Sequence, residues 1–254
     1  MEEELGVKLM ARSRHGIRFT PEGEVVLRHC ASAADHMNAM RRMLDALRGD
    51  VGGTVNAAVC FGYAQYCLTD VLAAYTDRYP QVQIQVSTGY SPRVFQMLTE
   101  GTADVAVVRG VFPWSGRRVL LRRERYGVLC SRKYAGVPLS HYPYIDRIEA
   151  PGDMQTLAQK RRWLREQGLD PRKMVCAVDS VPLVAELVRK GVGWSIIPDV
   201  GIQDPELMIE HCRFADGERF GRDTYAMCSE EAMEMPQVRA FRDMLRQHSS
   251  GGIE

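Results

Sequence analysis

Hydrophobic residues near the start of the chain recur at alternating steps of four and three. These positions are Val26, Cys30, Ala33, Met37, Met40, Leu44 and Leu47. Such heptad spacing, kept for about three heptads, is typical of a coiled coil. Thr20 can cap the helix, and Pro21 suits its first turn. We therefore predict a dimerising helix over residues 21–48, with an amphipathic helix packed on a core as the alternative.

A different pattern begins after the glycine-rich segment 49–53, where we place a domain boundary. Short apolar runs that predict strands now alternate with amphipathic stretches that predict helices. In chain order the elements are a strand over 55–60, a helix over 63–78, a strand over 82–86, a helix from Ser91 to Gly101, which Ser91 caps, and a strand over 104–108. This alternation predicts a βαβαβ unit whose parallel sheet is buried on both faces.

The rest of the chain continues the α/β pattern less regularly. An extended run over 119–130 is interrupted by Arg122, Arg123 and Arg125. The elements predicted after it are a helix over 154–167, a strand over 174–178, a helix that Ser180 caps and Gly191 ends, a strand over 194–197 and a final helix over 236–248.

The segment before the heptad pattern is short and basic. Two extended runs, 7–10 and 17–20, flank a turn at Gly16 and predict a β-hairpin. Its basic residues, with no acid among them, are Lys8, Arg12, Arg14 and Arg18. Such a cluster favours contact with the phosphate backbone of DNA. A solvated basic hairpin is the alternative.

Composition narrows the possible classes of protein further. Of 254 residues, 45% are hydrophobic and 26% are charged, and the net charge is +1, so any basic footprint for nucleic acid must be local. No two of the seven cysteines have the two-residue spacing of a zinc or redox motif, which indicates free thiols in a reducing compartment. The chain has no apolar run of about 20 residues and an acidic start. We expect a cytoplasmic protein that has no contact with a membrane.

Motifs that carry chemistry are missing from the sequence. It contains no dinucleotide-binding glycine motif, no phosphate loop, no metalloprotease motif and no nucleophile elbow. We therefore expect no enzyme, no catalytic residue, no metal site and no cofactor.

Two stretches resemble a known family, the LysR-type transcriptional regulators. Residues 2–27 resemble the end of the recognition helix, the wing and the start of the linker helix, and 187–198 resembles a second hallmark near the end of the sensing domain. Segments 101–110 and 236–245 are weaker matches. The matching positions in the first stretch are Leu5, Gly6, Leu9, Arg12, Arg14, Thr20, Pro21 and Gly23, while Met10 departs from the family's usual Phe.

The resemblance implies a bacterial transcriptional regulator with an α/β, two-lobed effector domain similar to periplasmic binding proteins. Residues 1–20 would be a remnant of a winged helix-turn-helix, 21–50 a dimerising linker helix and 51–254 the effector domain. Lobe I would cover about 52–120 and 200–254, and lobe II about 121–199. We expect DNA binding to be incomplete in this chain, with the missing helices encoded upstream. The implied partners are a small-molecule effector, promoter DNA in the full-length protein, and the chain itself as a dimer or tetramer.

Ligands of open α/β sheets bind at the carboxyl ends of the strands, near helix N-termini. That rule and the resemblance select an inter-lobe cleft. The candidate effector-binding residues are Phe61, Gly62, Tyr63, Thr88, Gly89, Ser91, Arg109, Gly110 and Ser180, with Ser131 and Tyr144 added from lobe II.

Arg109 ends an apolar strand, where a charge needs solvent or a partner. It can hold the carboxylate of an anionic metabolite in two hydrogen bonds or form a salt bridge to a neighbouring acid. The alternative function is a small-molecule binding protein of the periplasmic type with no role on DNA.

Overall fold

The computed structural model describes residues 1–13, 16–46, 51–150, 153–199, 202 and 204–249. The α-helices are α1 (Glu2–Leu5), α2 (Pro21–Ala46), α3 (Phe61–Tyr66), α4 (Leu68–Arg78), α5 (Ser91–Thr99), α6 (Met154–Glu166), α7 (Val181–Arg189) and α8 (Pro236–Ser249). The strands are β1 (Met10–Ser13), β2 (Gly16–Phe19), β3 (Gly53–Cys60), β4 (Val82–Gly89), β5 (Val105–Arg109), β6 (Arg117–Ser131), β7 (Tyr144–Arg147), β8 (Met174–Val178), β9 (Ser195–Pro198), β10 (Leu207–His211) and β11 (Gly221–Cys228).

The predicted hairpin and long helix are both present at the start of the chain. Strands β1 and β2 pair in antiparallel register, from Met10 opposite Phe19 to Ser13 opposite Gly16, so the first strand begins later than expected. Thr20 caps α2, because its hydroxyl accepts from the Gly23 amide at 3.0 Å. A Cβ on Gly23 would lie 2.0 Å from the Leu9 carbonyl oxygen, so only glycine allows the helix to pack this closely on the hairpin.

Most heptad positions of α2 that the structure describes are open to solvent, while Val26 is half-buried. Met37 is 51% exposed and Met40 is 48% exposed. Side chains 41–46, which include Leu44, and residue Leu47 lie outside the described part of the chain. No helix among the described residues is long and apolar enough to cross a membrane.

The main sheet has the strand order β10-β6-β11-β5-β3-β4, and β9 also pairs with β6. Strands β4 and β5 both run parallel to β3, as the βαβαβ pattern predicts. Helices α4 and α8 cover one face of this region, and α5 covers the other. Strands β3 and β5 are therefore buried on both faces, whereas the edge strand β4 is largely exposed.

Strand β6 extends through both lobes without a break. Its first half, Arg117–Arg125, pairs with β11, and its second half, Tyr126–Ser131, lies between β10 and β9. The expected interruption at the arginines was wrong, because the strand continues through them with a β-bulge. The bulge lies where Thr224 pairs with Arg122 and Tyr225 pairs with Leu120.

The second lobe is built on the second half of β6. Tyr126 and Val128 join a core with Trp163 of α6 and Trp194, while Leu129 faces α7 on the other side. Strand β10 also belongs to the second lobe, because it forms hydrogen bonds with the second half of β6. We expected the chain to return to the first lobe at residue 200, so the second lobe includes a later strand than expected.

Several predicted elements differ in detail. The single helix expected over 63–78 is two helices, because Cys67 leaves the helical region of backbone angles (φ −129°, ψ −27°). Ser91 is the first residue of α5 rather than its cap, and its hydroxyl instead accepts from the Arg109 amide at 3.0 Å. Ser180 does cap α7, accepting from the Leu183 amide at 3.4 Å. Strands β7, β10 and β11 were not predicted.

Candidate functional site

A cavity of about 540 Å³ opens between the two lobes. The last residues of three neighbouring strands line it: Cys60 of β3, Gly89 of β4 and Arg109 of β5. The first residues of four helices, α3, α5, α6 and α7, line it as well. Strand ends and helix N-termini thus meet at one place, as the rule for α/β sheets requires.

Six of the candidate residues border this cavity, and they come from both lobes. They are Phe61, Gly62, Gly89, Ser91, Arg109 and Ser180. Each directly ends a strand, or lies within the two positions that follow one. Local sequence rules were therefore sufficient to find them.

Three candidates next to these positions face elsewhere. Tyr63 is buried in the core of the first lobe, where burial raises the pKa of its hydroxyl to about 12 and Ser249 Oγ lies 3.0 Å away. Thr88 lies one residue before Gly89 on β4, so its side chain takes the opposite face of the strand. Gly110 is buried with φ 92°, and a Cβ there would lie 2.1 Å from the Arg222 guanidinium, so its role is to turn the chain.

The two candidates added from the second lobe do not line the cavity. Ser131 is buried at the far end of β6, opposite Leu207. Tyr144 packs its ring 4.8 Å from that of Trp194, and its hydroxyl donates to Asp146 at 2.8 Å. Burial of the Tyr144 hydroxyl raises its pKa. Both residues are part of the structural core of that lobe.

Arg109 forms a buried ion pair. Its Nη2 lies 2.6 Å from Glu124 Oε2, and the Glu124 side chain is only 3% exposed. The other Glu124 oxygen accepts from the Thr224 hydroxyl at 2.7 Å, and Arg109 Nη2 also donates to the Tyr126 hydroxyl at 3.2 Å. Burial lowers the pKa of Arg109 while the Glu124 carboxylate raises it, and the net direction is upward. The salt-bridge interpretation of Arg109 is therefore the one that the structure adopts.

A second ion pair, unlike that of Arg109, joins the two lobes. Arg222, on β11, binds Asp153, and these side chains are 12% and 6% exposed. Asp153 also caps α6 by accepting from the Thr156 amide at 3.0 Å, while Arg222 Nη2 donates to the Arg109 carbonyl at 2.9 Å. Sequence reasoning missed both residues, because 69 positions separate them and no local pattern links them.

The third arginine of the cavity wall, Arg147, is also paired. It binds Glu149, whose side chain is 5% exposed. Lys160 adds a hydrogen bond to the Arg147 carbonyl at 2.6 Å and an ion pair with Asp146 at 2.9 Å. The described part of the chain contains no cluster of metal-ligating side chains.

The predicted DNA contacts lie far from this cavity, on the N-terminal hairpin. Lys8 and Arg18 are exposed. Arg12 pairs with Ile17 through its backbone, but its side chain lies outside the described part of the structure, as does the whole of Arg14.

Comparison with known proteins identifies the family. Residues 48–250 match the family model described as LysR substrate binding domain. The chain belongs to the LysR family. The uncharacterized HTH-type transcriptional regulator YkuM of Bacillus subtilis strain 168 is 26% identical to this LysR protein over an alignment of 257 positions, which covers 98% of this chain and 86% of YkuM. The probable nitrogen assimilation transcriptional activator of Synechococcus elongatus is 26% identical over an alignment of 263 positions, which covers 97% of this chain and 82% of that protein.

Solved structures agree with this assignment at the level of the fold. CbnR in complex with its target DNA superposes with a TM-score of 0.68 at 18% identity, covering 97% of this chain and 86% of CbnR. Full-length BenM superposes with a TM-score of 0.61 at 21% identity, covering 100% of this chain and 86% of BenM. The LysR chain is thus a transcriptional regulator with a two-lobed effector-binding domain, and both expectations from the sequence are confirmed.

Proposed function

We propose that this LysR-type regulator binds a small-molecule effector in the inter-lobe cavity through Phe61, Gly62, Gly89, Ser91, Arg109 and Ser180. The observation that carries the proposal is that both lobes contribute to one cavity of about 540 Å³, a size within the usual range for ligand sites. A ligand that touches both lobes favours one inter-lobe arrangement over others, which is the basis of a conformational switch. BenM, whose effector-binding domain was solved with its effector benzoate, has the same fold.

The ligand group facing the first lobe is, in this proposal, a carboxylate. Arg109 Nη1 lies beside Gly62, 3.9 Å from a Cβ built on that residue. The first turn of α5 has no side-chain cap, so the backbone N–H groups of Ser91 and Arg93 are available to an anion, while Pro92 between them has none. The carboxylate would therefore meet Arg109 as one member of an ion pair, together with α5, rather than as a free cation.

The remaining parts of the chain have roles outside the cavity. We propose the divisions expected from the sequence, 1–20, 21–50 and 51–254, with β10 assigned to the second lobe because it pairs with the second half of β6. Helix α2 would join two copies of the regulator, and Lys8, Arg12, Arg14 and Arg18 would contact DNA phosphates. No catalytic step is proposed for the cavity, and a regulator of promoter DNA would act in the cytoplasm.

The test fills the cavity without straining the backbone. In Gly62→Trp the new Cβ has Arg109 Nη1, at 3.9 Å, as its nearest neighbour, so the indole is expected to occupy ligand space. Gly52→Trp is the matched control, because a Cβ at Gly52 meets no heavy atom within 4 Å. A metabolite library is screened by thermal shift against the parent and both variants.

Compounds that raise the melting temperature of the parent and of Gly52→Trp are expected to have no effect on Gly62→Trp. If every stabilising compound acts equally on all three proteins, the effector binds elsewhere and the proposal fails.

A further inference from the structure

The charges around the cavity are not those of a site for a simple anion. Three arginines line it, and each has a carboxylate partner: Glu124 for Arg109, Glu149 for Arg147 and Asp153 for Arg222. One further acid, Asp179, also lines the cavity. The wall itself therefore carries three carboxylates, Glu124, Asp153 and Asp179, against three guanidinium groups.

The three arginines are not free to change partners. The side chains of Glu124, Glu149 and Asp153 are 3%, 5% and 6% exposed. A ligand that drew Arg109 or Arg222 away would leave a carboxylate buried without a cation, which is strongly unfavourable. Glu149 also has Lys160 as a partner at 3.5 Å, so it holds two cations rather than one. An anionic ligand thus finds arginines whose charge is already neutralised.

Asp179 differs from the other acids in that it is exposed. Among the described residues, no ion pair or hydrogen bond of its side chain is found. It directly precedes Ser180, the cap of α7, so it projects from the second lobe at the cavity wall. Its carboxylate opposes a second anion at that end of the cavity and attracts a cation.

We propose that the effector carries a cationic amine together with its carboxylate, as an amino acid does, and that Asp179 selects for the amine. This inference rests on the proposed function of the cavity. The ligand carboxylate lies against Arg109 and the first turn of α5 in lobe I, and the ammonium lies against Asp179 in lobe II. Such a ligand bridges the lobes and brings no net charge into a wall that has no free arginine.

The experiment compares matched ligands on the full chain. The probes are the common amino acids, the same compounds with the amino group replaced by hydrogen, and the amines that lack the carboxylate. Affinities are measured by thermal shift and then by calorimetric titration with the parent, Asp179→Asn and Asp77→Asn. Asp77 is an exposed acid of α4 that does not line the cavity, so it serves as the matched control.

At least one amino acid is expected to bind, and its deaminated counterpart to bind more weakly. Losing one charge-assisted contact corresponds to a change in affinity of roughly 10- to 150-fold. Asp179→Asn is therefore expected to weaken binding of the amino acid by that factor. The same substitution is expected to change the affinity for the deaminated compound by no more than about two-fold. Asp77→Asn is expected to change the affinity for neither compound.

Three results overturn the inference. Deaminated acids that bind the parent as tightly as their amino acids remove the need for an amine. Equal affinities in the parent and Asp179→Asn show that Asp179 is only a solvated acid at a helix start. No binding by any probe excludes this ligand class. The proposed function is judged separately, by whether binding is lost in Gly62→Trp.

Discussion

At the scale of single residues, the cavity depends on charges that satisfy one another. Glu124 holds Arg109 from one oxygen and Thr224 from the other, so a single acid fixes two strands next to the cavity. The sequence carried a weak signal for it, since Glu124 is the only acid between Arg117 and Ser131. Nothing local indicated that its side chain would be buried rather than exposed like that of Arg123.

Removal of this acid tests how much the pair contributes. Glu124→Ala leaves Arg109 buried without a carboxylate, so we expect the free energy of unfolding to fall by about 3–5 kcal/mol. Glu230→Ala is the control, because the side chains of Glu230 and its partner Arg117 are 59% and 63% exposed. The expected loss in the free energy of unfolding there is about 1 kcal/mol or less. Urea denaturation measures both. Equal midpoints for the two variants would mean that burial of the Arg109 pair is not important.

At the scale of elements, the N-terminus of α6 is bound to β11 through Asp153 and Arg222. The lobes are thus joined across the cavity as well as through β6. Because Asp153 caps its own helix and also pairs with the other lobe, the start of α6 couples helix stability to the inter-lobe arrangement.

A double-mutant cycle isolates this connection. We expect Asp153→Ala and Arg222→Ala to be non-additive in the free energy of unfolding, with an interaction energy of about 0.5–3 kcal/mol. The control is the pair of Asp170 and Arg172, which are two positions apart and whose side chains are 34% and 89% exposed. This pair lies near solvent and within one lobe, so we expect a weaker coupling than at Asp153 and Arg222. Additive effects at Asp153 and Arg222 would contradict a stabilising contact between the lobes.

Elements with strong local patterns were predictable and those defined by distant partners were not. Helix α7 has Ser180 at its start and an apolar stripe, so its bounds followed from the sequence. Strand β11 mixes Arg222, Asp223 and Thr224 with apolar residues, and it is stable only because β5 and β6 flank it. The same reason explains the site: residues at strand ends followed from topology, whereas the partners of the arginines required the folded chain.

At the scale of the whole molecule, α2 presents apolar side chains to solvent in the single chain. Exposed apolar stripes of this kind mark interfaces, and LysR-type regulators form oligomers. The heptad pattern predicts which face of α2 would be covered when two copies associate.

A charge on that face is expected to weaken association. Met37→Glu introduces a carboxylate at a heptad position that is 51% exposed in the single chain, so we expect the fraction of dimer at micromolar protein to fall at least ten-fold. Ala31→Glu, at an exposed position off the heptad seam, is the matched control and leaves association unchanged. Sedimentation velocity separates the species. Identical profiles for the parent and Met37→Glu would place the interface on another surface.

The position of β11 has a consequence for how the chain is made. This strand lies in the middle of the sheet, between β5 and β6, yet it is the last strand to be synthesised. The 123 positions between Val105 and Cys228 take roughly 6–25 s to translate at about 5–20 residues per second. Until β11 is made, β5 and then, once it is synthesised, the first half of β6 lack their partner strand, and unpaired edges are templates for aggregation. A nascent chain that stalls before Gly221 therefore lacks a central strand of its first lobe rather than a strand at the margin.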